Sequence, residues 1–370
     1  MNRTDLPGLY VHVPFCKTKC PYCDFYSVTD TSLVDRWCTA LLQEARMYPG
    51  LGEFDSLYIG GGTPSLLDDR QMTELILALG GIFRFAPETE LTVEMNPDDV
   101  TREKLGLYRS LGVNRISLGV QSFAEDEVRF LCRRHTAQQA LSALEAVAGA
   151  GFREYGIDLM YGLPGQSLGA WQVTLERALS FDPDHLSCYQ LTVEGNTPFA
   201  GMAKEGKLSM PDDALQAGLF VKTSECLTGA GFLHYEVSNF ARGKERLARH
   251  NVKYWQHTPY LGLGPSAHSF TGRKRWWNVR DVTLYLKTIH SGHMPVEGSE
   301  ELSSSQMNME KILCGSRTLW GINVRDITPP LSEERITGLC DSGFITVEGQ
   351  RIVPTLKGYL FADKLPLLIS

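Results

Sequence analysis

The stretch that decides the fold is Val13-Pro14-Phe15-Cys16-Lys17-Thr18-Lys19-Cys20-Pro21-Tyr22-Cys23-Asp24-Phe25. Its three cysteines, Cys16, Cys20 and Cys23, have the spacing Cys-x3-Cys-x2-Cys. Ordinary electron-transfer clusters use four cysteine ligands. Three thiolates this close together can hold three irons of a [4Fe-4S] cube and leave the fourth iron open to another ligand. We therefore predict that these three cysteines bind such a cluster.

Two alternatives to a cluster are a zinc site and three unrelated buried thiols. A structural zinc site needs four ligands, typically as two separated pairs, and the chain has no second Cys-x2-Cys pair. Ligand count therefore favours the cluster. The scattered cysteines lack ligand spacing, and we expect them to be reduced and packed as small hydrophobic side chains. They are Cys38, Cys132, Cys188, Cys226, Cys314 and Cys340.

Composition bounds the class of protein. The chain has 370 residues, of which 43% are hydrophobic and 21% charged, as in an ordinary globular protein. A net charge of −7 predicts no general attraction to nucleic acid or to a membrane surface. The N-terminal stretch is polar and no apolar run reaches bilayer length, so we expect neither a signal peptide nor an integral membrane segment. The expected location is the cytoplasm.

The first half of the chain alternates between short apolar runs and longer segments of helical periodicity. The runs predict strands at 9–13, 56–59, 91–94, 115–120, 155–161 and 185–191. The longer segments predict helices at 33–47, 72–83, 102–111, 137–150 and 171–179. This alternation indicates an α/β fold with a parallel sheet. Periodicity does not separate a doubly wound layer from a barrel.

The alternation stops after about Thr192, and the rest of the chain reads differently. A helix is predicted at 212–230, residues 231–280 show little periodicity, and the polar stretch 297–305 resembles a linker. Helices at 306–320 and 332–340 precede a hairpin that turns at Glu348-Gly349-Gln350, which predicts a small winged-helix-like α+β module without a strong basic stripe. The predicted domains are 1–195, 196–300 and 301–370.

Polar and glycine residues fall where the predicted strands end. The second strand runs into Gly60-Gly61-Gly62-Thr63-Pro64, and Glu94, Gln121 and Asp158 lie at the ends of later strands. Arg133 lies near the start of a helix. Ligands of α/β sheets bind beyond the carboxyl ends of strands, and glycines let a ligand approach the backbone. Each residue alone could be a satisfied polar group, but together they favour a ligand site.

The order of these motifs resembles the radical-SAM superfamily, and within it the coproporphyrinogen-dehydrogenase-like family, over nearly the whole chain. The matching runs are Tyr10-Val11-His12-Val13-Pro14-Phe15-Cys16, Gly60-Gly61-Gly62-Thr63-Pro64, Gly119-Val120-Gln121-Ser122-Phe123 and Asp158-Leu159-Met160-Tyr161-Gly162-Leu163-Pro164-Gly165. The resemblance implies a partial (β/α)6 barrel with a C-terminal accessory domain, a [4Fe-4S] cluster and S-adenosyl-L-methionine (SAM).

The resemblance also implies residue roles. Gly61, Gly62 and Thr63 would contact the methionine part of SAM, and Tyr10 would lie near the cluster. The polar groups of SAM would be held by Glu94, Gln121, Arg133 and Asp158. The implied chemistry is reductive cleavage of SAM, which requires an electron donor for the cluster.

Two features resemble the heme-chaperone branch of that family, the HemW group. Coproporphyrinogen dehydrogenases of the family carry a fourth cysteine where this chain has Phe25, and His250-Asn251-Val252-Lys253-Tyr254-Trp255 matches a His-Asn-x-x-Tyr-Trp motif associated with heme. This likeness implies heme as cargo and heme-requiring acceptor proteins as partners, and it leaves open a homodimer and a role for SAM cleavage in transfer. The rival function is oxidative decarboxylation of coproporphyrinogen III; a heme-degrading methyltransferase and a purely structural iron–sulfur protein explain fewer of the motifs.

The heme motif is chemically plausible. His250 offers a nitrogen to iron, and Tyr254 and Trp255 offer flat faces to a porphyrin. Upstream cations that could pair with propionates are Arg242, Lys244, Arg246 and Arg249. The alternative is that His250 is a structural histidine. Other candidate ligands are His234, His257 and His268.

Overall fold

The computed structural model describes residues 6–369. It confirms the six predicted strands, several of which begin earlier than their apolar runs. They are β1 (Gly8–Val13), β2 (Glu53–Gly61), β3 (Arg84–Met95), β4 (Arg115–Gln121), β5 (Glu154–Tyr161) and β6 (His185–Gln190). The helices between them are α1 (Val34–Arg46), α2 (Asp69–Ile82), α3 (Arg102–Ser110), α4 (Glu125–Phe130), α5 (Ala137–Gly149) and α6 (Leu168–Leu179). Only α4 was not predicted.

The order of the strands distinguishes the two sheet types that periodicity left open. Each of β1 to β6 is hydrogen-bonded to its neighbour in the chain, and every one of these pairs is parallel. A doubly wound sheet reverses its strand order, whereas successive right-handed crossovers in one direction put all helices on one face. The sheet is therefore of the barrel type, and it stays open because further strands extend both edges.

Strand β1 shows how the sequence assigns the two faces of the sheet. Leu9, Val11 and Val13 are fully buried in the large core that also contains Trp37 and Leu41 of α1. Tyr10 and His12 alternate with them and lie on the opposite face, because successive side chains of a strand point to opposite sides. That inner face is polar, and its upper end carries the ligand-site residues.

The stretch after β6 contains more regular structure than its sequence indicates. It begins with α7 (Pro198–Lys204), α8 (Asp213–Gly229), β7 (Leu233–Glu236), β8 (Asn239–Ala241) and α9 (Arg249–Trp255). It continues with β9 (Tyr260–Leu263), β10 (His268–Phe270), β11 (Lys274–Asn278), α10 (Val282–His290) and β12 (Val296–Glu301). Strand β9 pairs with β1 in parallel, and β10, β11 and β12 follow as an antiparallel extension.

The prediction that residues 297–305 form a linker is wrong. Its first half is β12, which pairs with β11 and forms the edge of the sheet. The strand is largely exposed. Its sequence is therefore polar and shows no alternation of apolar and polar residues that would predict a strand. Backbone pairing and the ion pair between Arg275 and Glu300, at 2.5 Å, hold it in place.

The C-terminal part has its own small core and a three-stranded sheet. Its elements are α11 (Ser304–Gly315), β13 (Ile322–Asn323), α12 (Glu333–Asp341), β14 (Ile345–Glu348), β15 (Arg351–Pro354), α13 (Leu356–Leu360) and α14 (Leu365–Ile369). The predicted hairpin is confirmed as β14 and β15, and Gly349 in its turn has a φ of +60°. The helix predicted to reach Trp320 ends at Gly315. In the described part of the chain, no helix is long and apolar enough to cross a membrane.

Candidate functional site

The cysteine loop leaves the carboxyl end of β1 and is closed by backbone hydrogen bonds. Val28 N–H donates to the Pro14 carbonyl at 2.8 Å, and Cys16 N–H donates to the Val28 carbonyl at 3.0 Å. A further turn brings Cys23 N–H within 3.2 Å of the Cys20 carbonyl. All three cysteines are free and half-buried. The loop therefore presents three thiols from a fixed backbone.

The glycine run fits against this loop so closely that side chains are excluded. A Cβ on Gly62 would lie 2.7 Å from the Phe15 carbonyl oxygen and 3.0 Å from Cys16 Sγ. Gly61 has a φ of +112°, and a Cβ there would lie 2.7 Å from the His12 ring. Thr63 then donates its hydroxyl to Cys16 Sγ at 3.4 Å. The glycines thus serve the contact between two loops as well as any approach by a ligand.

Arg133 joins the cysteine loop to the ends of β3 and β4. Its guanidinium donates to Cys20 Sγ at 3.6 Å, to Asn96 Oδ1 at 2.5 Å and to the Gly119 carbonyl at 3.0 Å. It also donates to the Tyr22 hydroxyl at 3.3 Å. Its Nε is buried with no hydrogen-bond partner among the described residues. Sequence reasoning found Arg133 but missed Asn96 and Tyr22, which orient it.

Asp99 is a second residue that the sequence analysis missed. It accepts from Lys17 Nζ in the cysteine loop at 3.1 Å, from Ser65 Oγ after the glycine run at 2.9 Å, and from Arg134 at 2.9 Å. Burial would raise its pKa, but the hydrogen bond and charge of Arg134, with Ser65 and Lys17, outweigh burial and lower the pKa. One buried carboxylate therefore connects three of the motif segments.

Two predicted carboxylates, Glu94 and Asp158, lie on the inner face. Glu94 accepts from the Tyr58 hydroxyl at 2.7 Å and from Gly61 N–H at 3.1 Å, while Asp158 accepts from Ser117 Oγ at 3.1 and 3.2 Å. Burial raises the pKa of Glu94 to about 7, and the nearby charge of Asp158 adds to the shift. Burial also raises the pKa of Asp158. Each carboxylate would gain from a cation such as the SAM ammonium.

Tyr10 and Gln121 lie on the same inner face. The Tyr10 hydroxyl is 3.0 Å from Nδ1 of His12, whose ring abuts Gly61. Gln121 ends β4 beside a register shift, with a φ of +67° that non-glycine residues rarely adopt. Its side-chain nitrogen would be 3.3 Å from a Cβ on Gly119, next to Arg133. Such strain is typical of ligand sites, where surrounding structure compensates for it.

The donor set fits a [4Fe-4S] cluster. Three thiols share one loop, and both Cys16 and Cys20 already have a side-chain donor to sulfur of the kind that tunes iron–sulfur centres. Burial raises the pKa of Cys23, and the neighbouring Cys20 and Cys16 contribute to the shift. Within residues 6–369 no three His, Cys, Asp or Glu side chains surround a point for one metal ion. A cluster requires no such point, because each thiolate would hold a different iron.

One of the six other cysteines differs from expectation. Cys38 and Cys188 are buried, as predicted. Cys132 is exposed, with a φ of +52°, so the prediction that it packs as a small hydrophobic side chain is wrong. It lies in the turn between α4 and Arg133, where the neighbouring Leu131 is buried in a small hydrophobic cluster and the thiol of Cys132 is not.

The His-Asn-x-x-Tyr-Trp motif forms α9 near the lower ends of β1 to β3. The His250 ring is 1% exposed, and its nitrogens lie 2.9 Å from Ser56 Oγ and 2.9 Å from the Tyr254 hydroxyl. Burial, together with the charge of Lys253, lowers its pKa to about 3. Tyr254 is 36% exposed and Trp255 half-buried. A heme-ligand role for His250 stays a prediction, and the ring is already hydrogen-bonded on both sides.

The arginines upstream of that motif are occupied by protein groups. Arg242 pairs with Asp182 at 2.6 Å, Arg246 lies 3.6 Å from Asp184, and Arg249 donates to the Glu88 carbonyl at 2.8 Å. Of the upstream cations, Lys244 and Arg249 line a cleft of about 260 Å³ at the lower end of the sheet. The predicted pairing of the three arginines with propionates would compete with their contacts to protein groups.

Comparisons with known proteins identify the family of the chain. The profile of the Radical SAM superfamily matches residues 10–178. The heme chaperone HemW of Mycobacterium tuberculosis strain H37Rv is 35% identical over 366 residues, which are 96% of this chain and 93% of that protein. HemW of Bacillus subtilis strain 168 is 33% identical over 86% of this chain and 85% of that protein. HemW of Escherichia coli K12 is 39% identical over 70% of this chain and 69% of that protein.

A solved structure, described as the radical SAM enzyme coproporphyrinogen III oxidase HemN from Escherichia coli, has the same fold. It superposes with a TM-score of 0.83, covers 99% of this chain and 90% of its own, and is 24% identical. Such a likeness supports the fold alone. Identity above 30% along nearly the whole of a relative, together with the cysteine loop and the glycine run that fits it, shows the family: the chain is a radical SAM protein of the HemW family.

Proposed function

We propose that this protein is a heme chaperone that carries a [4Fe-4S] cluster and SAM, binds heme as cargo and passes it to heme-requiring acceptor proteins. The observation that carries the proposal is the 35% identity to the Mycobacterium tuberculosis heme chaperone along 96% of the chain. Phe25 supports it, because this exposed side chain stands where coproporphyrinogen dehydrogenases of the family have a fourth cysteine.

The cluster and SAM would be held by the residues at the upper end of the inner face. Cys16, Cys20 and Cys23 are the proposed iron ligands, and the open iron would take SAM, whose reductive cleavage is the chemistry that the cluster supplies. Among the proposed SAM contacts, Gly61, Gly62 and Thr63 border the cysteine loop. Tyr10, Glu94, Gln121, Arg133 and Asp158 complete the proposed set.

The chain's own residues would prepare this site in two ways. Arg133 would keep a positive charge near the cluster sulfurs, where it also attracts a carboxylate such as that of SAM. Glu94, with its pKa near 7, would give up its proton most readily when a cationic ammonium arrives. The acceptor proteins, the electron donor, the three domain boundaries and the winged-helix-like character of residues 301–370 belong to the proposal as well.

The experiment that tests the function against its rival is anaerobic. The cluster is reconstituted, SAM cleavage is measured under reduction, and coproporphyrinogen III is then supplied. The proposal predicts SAM cleavage without release of carbon dioxide or formation of protoporphyrinogen IX. Turnover of coproporphyrinogen III would make the protein a dehydrogenase despite Phe25, and would overturn the proposal.

A further inference from the structure

A row of side chains crosses the inner face from the candidate SAM site to the open edge of the sheet. Strand register pairs Tyr10 with Gly262, places His268 beside Gly262, and pairs His268 with Trp277 and Trp277 with Gly298. Residues paired across strands point to the same face. His268 and Trp277 therefore extend the face that carries Tyr10 and Glu94, beyond β1 and toward solvent.

The outer part of this row is a flat aromatic surface. The indole of Trp277 lies over Gly298, where a Cβ would be only 2.5 Å from Cζ2. The His268 ring stacks on the indole at 28° with 6.0 Å between centroids. Between His268 and Tyr10 the row is closed by backbone, because a Cβ on Gly262 would collide with the His268 carbonyl oxygen. Gly262 and Gly298 add no side chains to the row, so the two planar rings form its outer surface, a platform.

The His268 imidazole is available for a ligand, in contrast to that of His250. Its residue is exposed, and no residue within 6–369 hydrogen-bonds the ring. Partial burial, with the charges of Arg275 and Arg280, lowers its pKa. The ring is therefore neutral at pH 7, the state in which imidazole binds a metal ion.

A cation and an apolar ring border the platform where it meets the cysteine loop. Arg280 donates to the Asp24 carbonyl at 2.5 Å and lies 3.5 Å from the Asp24 carboxylate, but its side chain is 53% exposed, so part of its guanidinium faces solvent and can take a second anion. Phe25, which follows Asp24 in the cysteine loop, is 69% exposed. On the lower side, Tyr254 packs edge-to-face on Tyr260 at 4.7 Å, two residues before Gly262. The platform is thus continuous with the predicted heme motif.

We propose that this platform is the cargo site and takes an iron porphyrin, with His268 as axial ligand to iron, Trp277 as a stacking wall and Arg280 as partner of a propionate. A porphyrin is flat and apolar, carries anionic propionates and needs a nitrogen ligand, which are the properties that these side chains match. His250 then acts as a positioning residue that holds the Tyr254 hydroxyl. The inference rests on the proposed function.

The test is a hemin titration of the full-length protein with the variants His268→Ala, His250→Ala and Trp277→Ala. His290→Ala serves as the control, because His290 is also exposed but ends α10 outside the row. For His268→Ala we expect hemin affinity to fall at least about tenfold. Loss of a residue that only hydrogen-bonds a metal ligand already lowers the affinity of a metal site by about tenfold or more, and loss of the ligand itself should cost no less. The iron–histidine vibration of the ferrous heme should vanish and return with added imidazole. Trp277→Ala should weaken binding and keep that vibration, and His290→Ala should match the wild type.

The readouts separate failure of this inference from failure of the proposed function. An unchanged affinity and vibration in His268→Ala, whatever His250→Ala does, would overturn the assignment of His268. Saturable hemin binding by wild-type protein without a histidine vibration would overturn it too. A wild-type protein that shows no saturable hemin binding would instead remove the cargo and with it the proposed function. Far-UV circular dichroism of each variant establishes that it is folded.

Discussion

At the scale of single residues, the cysteines are the most local part of the site. Cys16, Cys20 and Cys23 occupy one loop, so their grouping is readable from spacing alone. Replacing any one by alanine would remove one of the three proposed protein ligands to the cluster. We expect each variant to lose cluster-bound iron after anaerobic reconstitution, and Cys226→Ala, which lies on α8, to keep it. Wild-type iron content in a Cys16, Cys20 or Cys23 variant would sink the cluster assignment.

Asp99 is a residue whose role the sequence could not reveal. Its partner Lys17 is 82 positions away and its partner Ser65 is 34 positions away, so only the folded chain brings them together. Asn96 is hidden in the same way. A single sequence shows local motifs, but it contains no signal for contacts between residues on different strands.

We expect Asp99→Asn to lower the free energy of unfolding by roughly 1–3 kcal/mol, the cost of weakening hydrogen bonds to a charged group. The folded-state pKa of Asp99 is lowered, so its stabilisation is fully present at neutral pH and is lost as pH falls through that pKa. The difference between wild type and variant should therefore shrink in acid. Urea unfolding at neutral and acidic pH measures it, with the exposed Glu103→Gln as control. A pH-independent difference would argue against the charge as its cause.

At the scale of elements, the cysteine loop and the glycine run pack so closely that their contact leaves no room for a side chain on Gly62. Gly62→Ala would drive a methyl group against the backbone of Phe15 and against Cys16 Sγ. We expect the variant to separate the loops and to lose most of its cluster and SAM cleavage. Gly80→Ala is a matched control, since nothing lies within 4 Å of its Cβ and alanine favours a helix by up to about 1 kcal/mol. If both variants retained the cluster equally, the loop contact would not matter.

A buried carboxylate on α1 connects this helix to the extension of the sheet. Glu44 accepts from Gly264 N–H at 2.8 Å, from Asn278 Nδ2 at 2.6 Å and from the Tyr285 hydroxyl at 2.6 Å. Burial outweighs these bonds and raises the pKa of Glu44 to about 7 from 4.5. Because the folded-state pKa is raised, the stabilisation that Glu44 contributes is fully present below its usual pKa of 4.5. It is lost as pH rises through the folded-state pKa of about 7.

We therefore expect Glu44→Gln, which cannot ionise, to flatten the fall in stability between pH 5 and pH 8, the range that spans the Glu44 pKa of about 7. Urea unfolding at both values measures this difference, with the exposed Glu53→Gln as control. Equal changes in wild type and Glu44→Gln would mean that Glu44 ionises normally.

Edge strand β12 shows why some elements were missed. Periodicity reports burial, and a strand whose residues are largely exposed gives no alternation. The six central strands were found because one face of each contacts helices. The choice between a barrel and a doubly wound sheet depended on which strands pair, a property that no single segment encodes.

At the scale of the whole molecule, the fold brings the candidate SAM site and the proposed cargo platform onto one face. The cysteine loop follows the carboxyl end of β1. Strand β9, which pairs with β1 on the side opposite β2, begins the extension that carries His268 and Trp277. Arg280 and Asp24 tie the two regions together. A chaperone with this layout would hold heme beside its cluster.

The central claim is that this molecule carries heme to other proteins, and the most direct measurement is heme transfer. The reconstituted protein, loaded with one equivalent of hemin, is added to an extract of heme-starved cells of the same organism, and recovery of heme-enzyme activity is followed. Serum albumin with the same hemin load is the passive donor. The account predicts faster recovery from the loaded protein than from albumin. Recovery no faster than from albumin would contradict it.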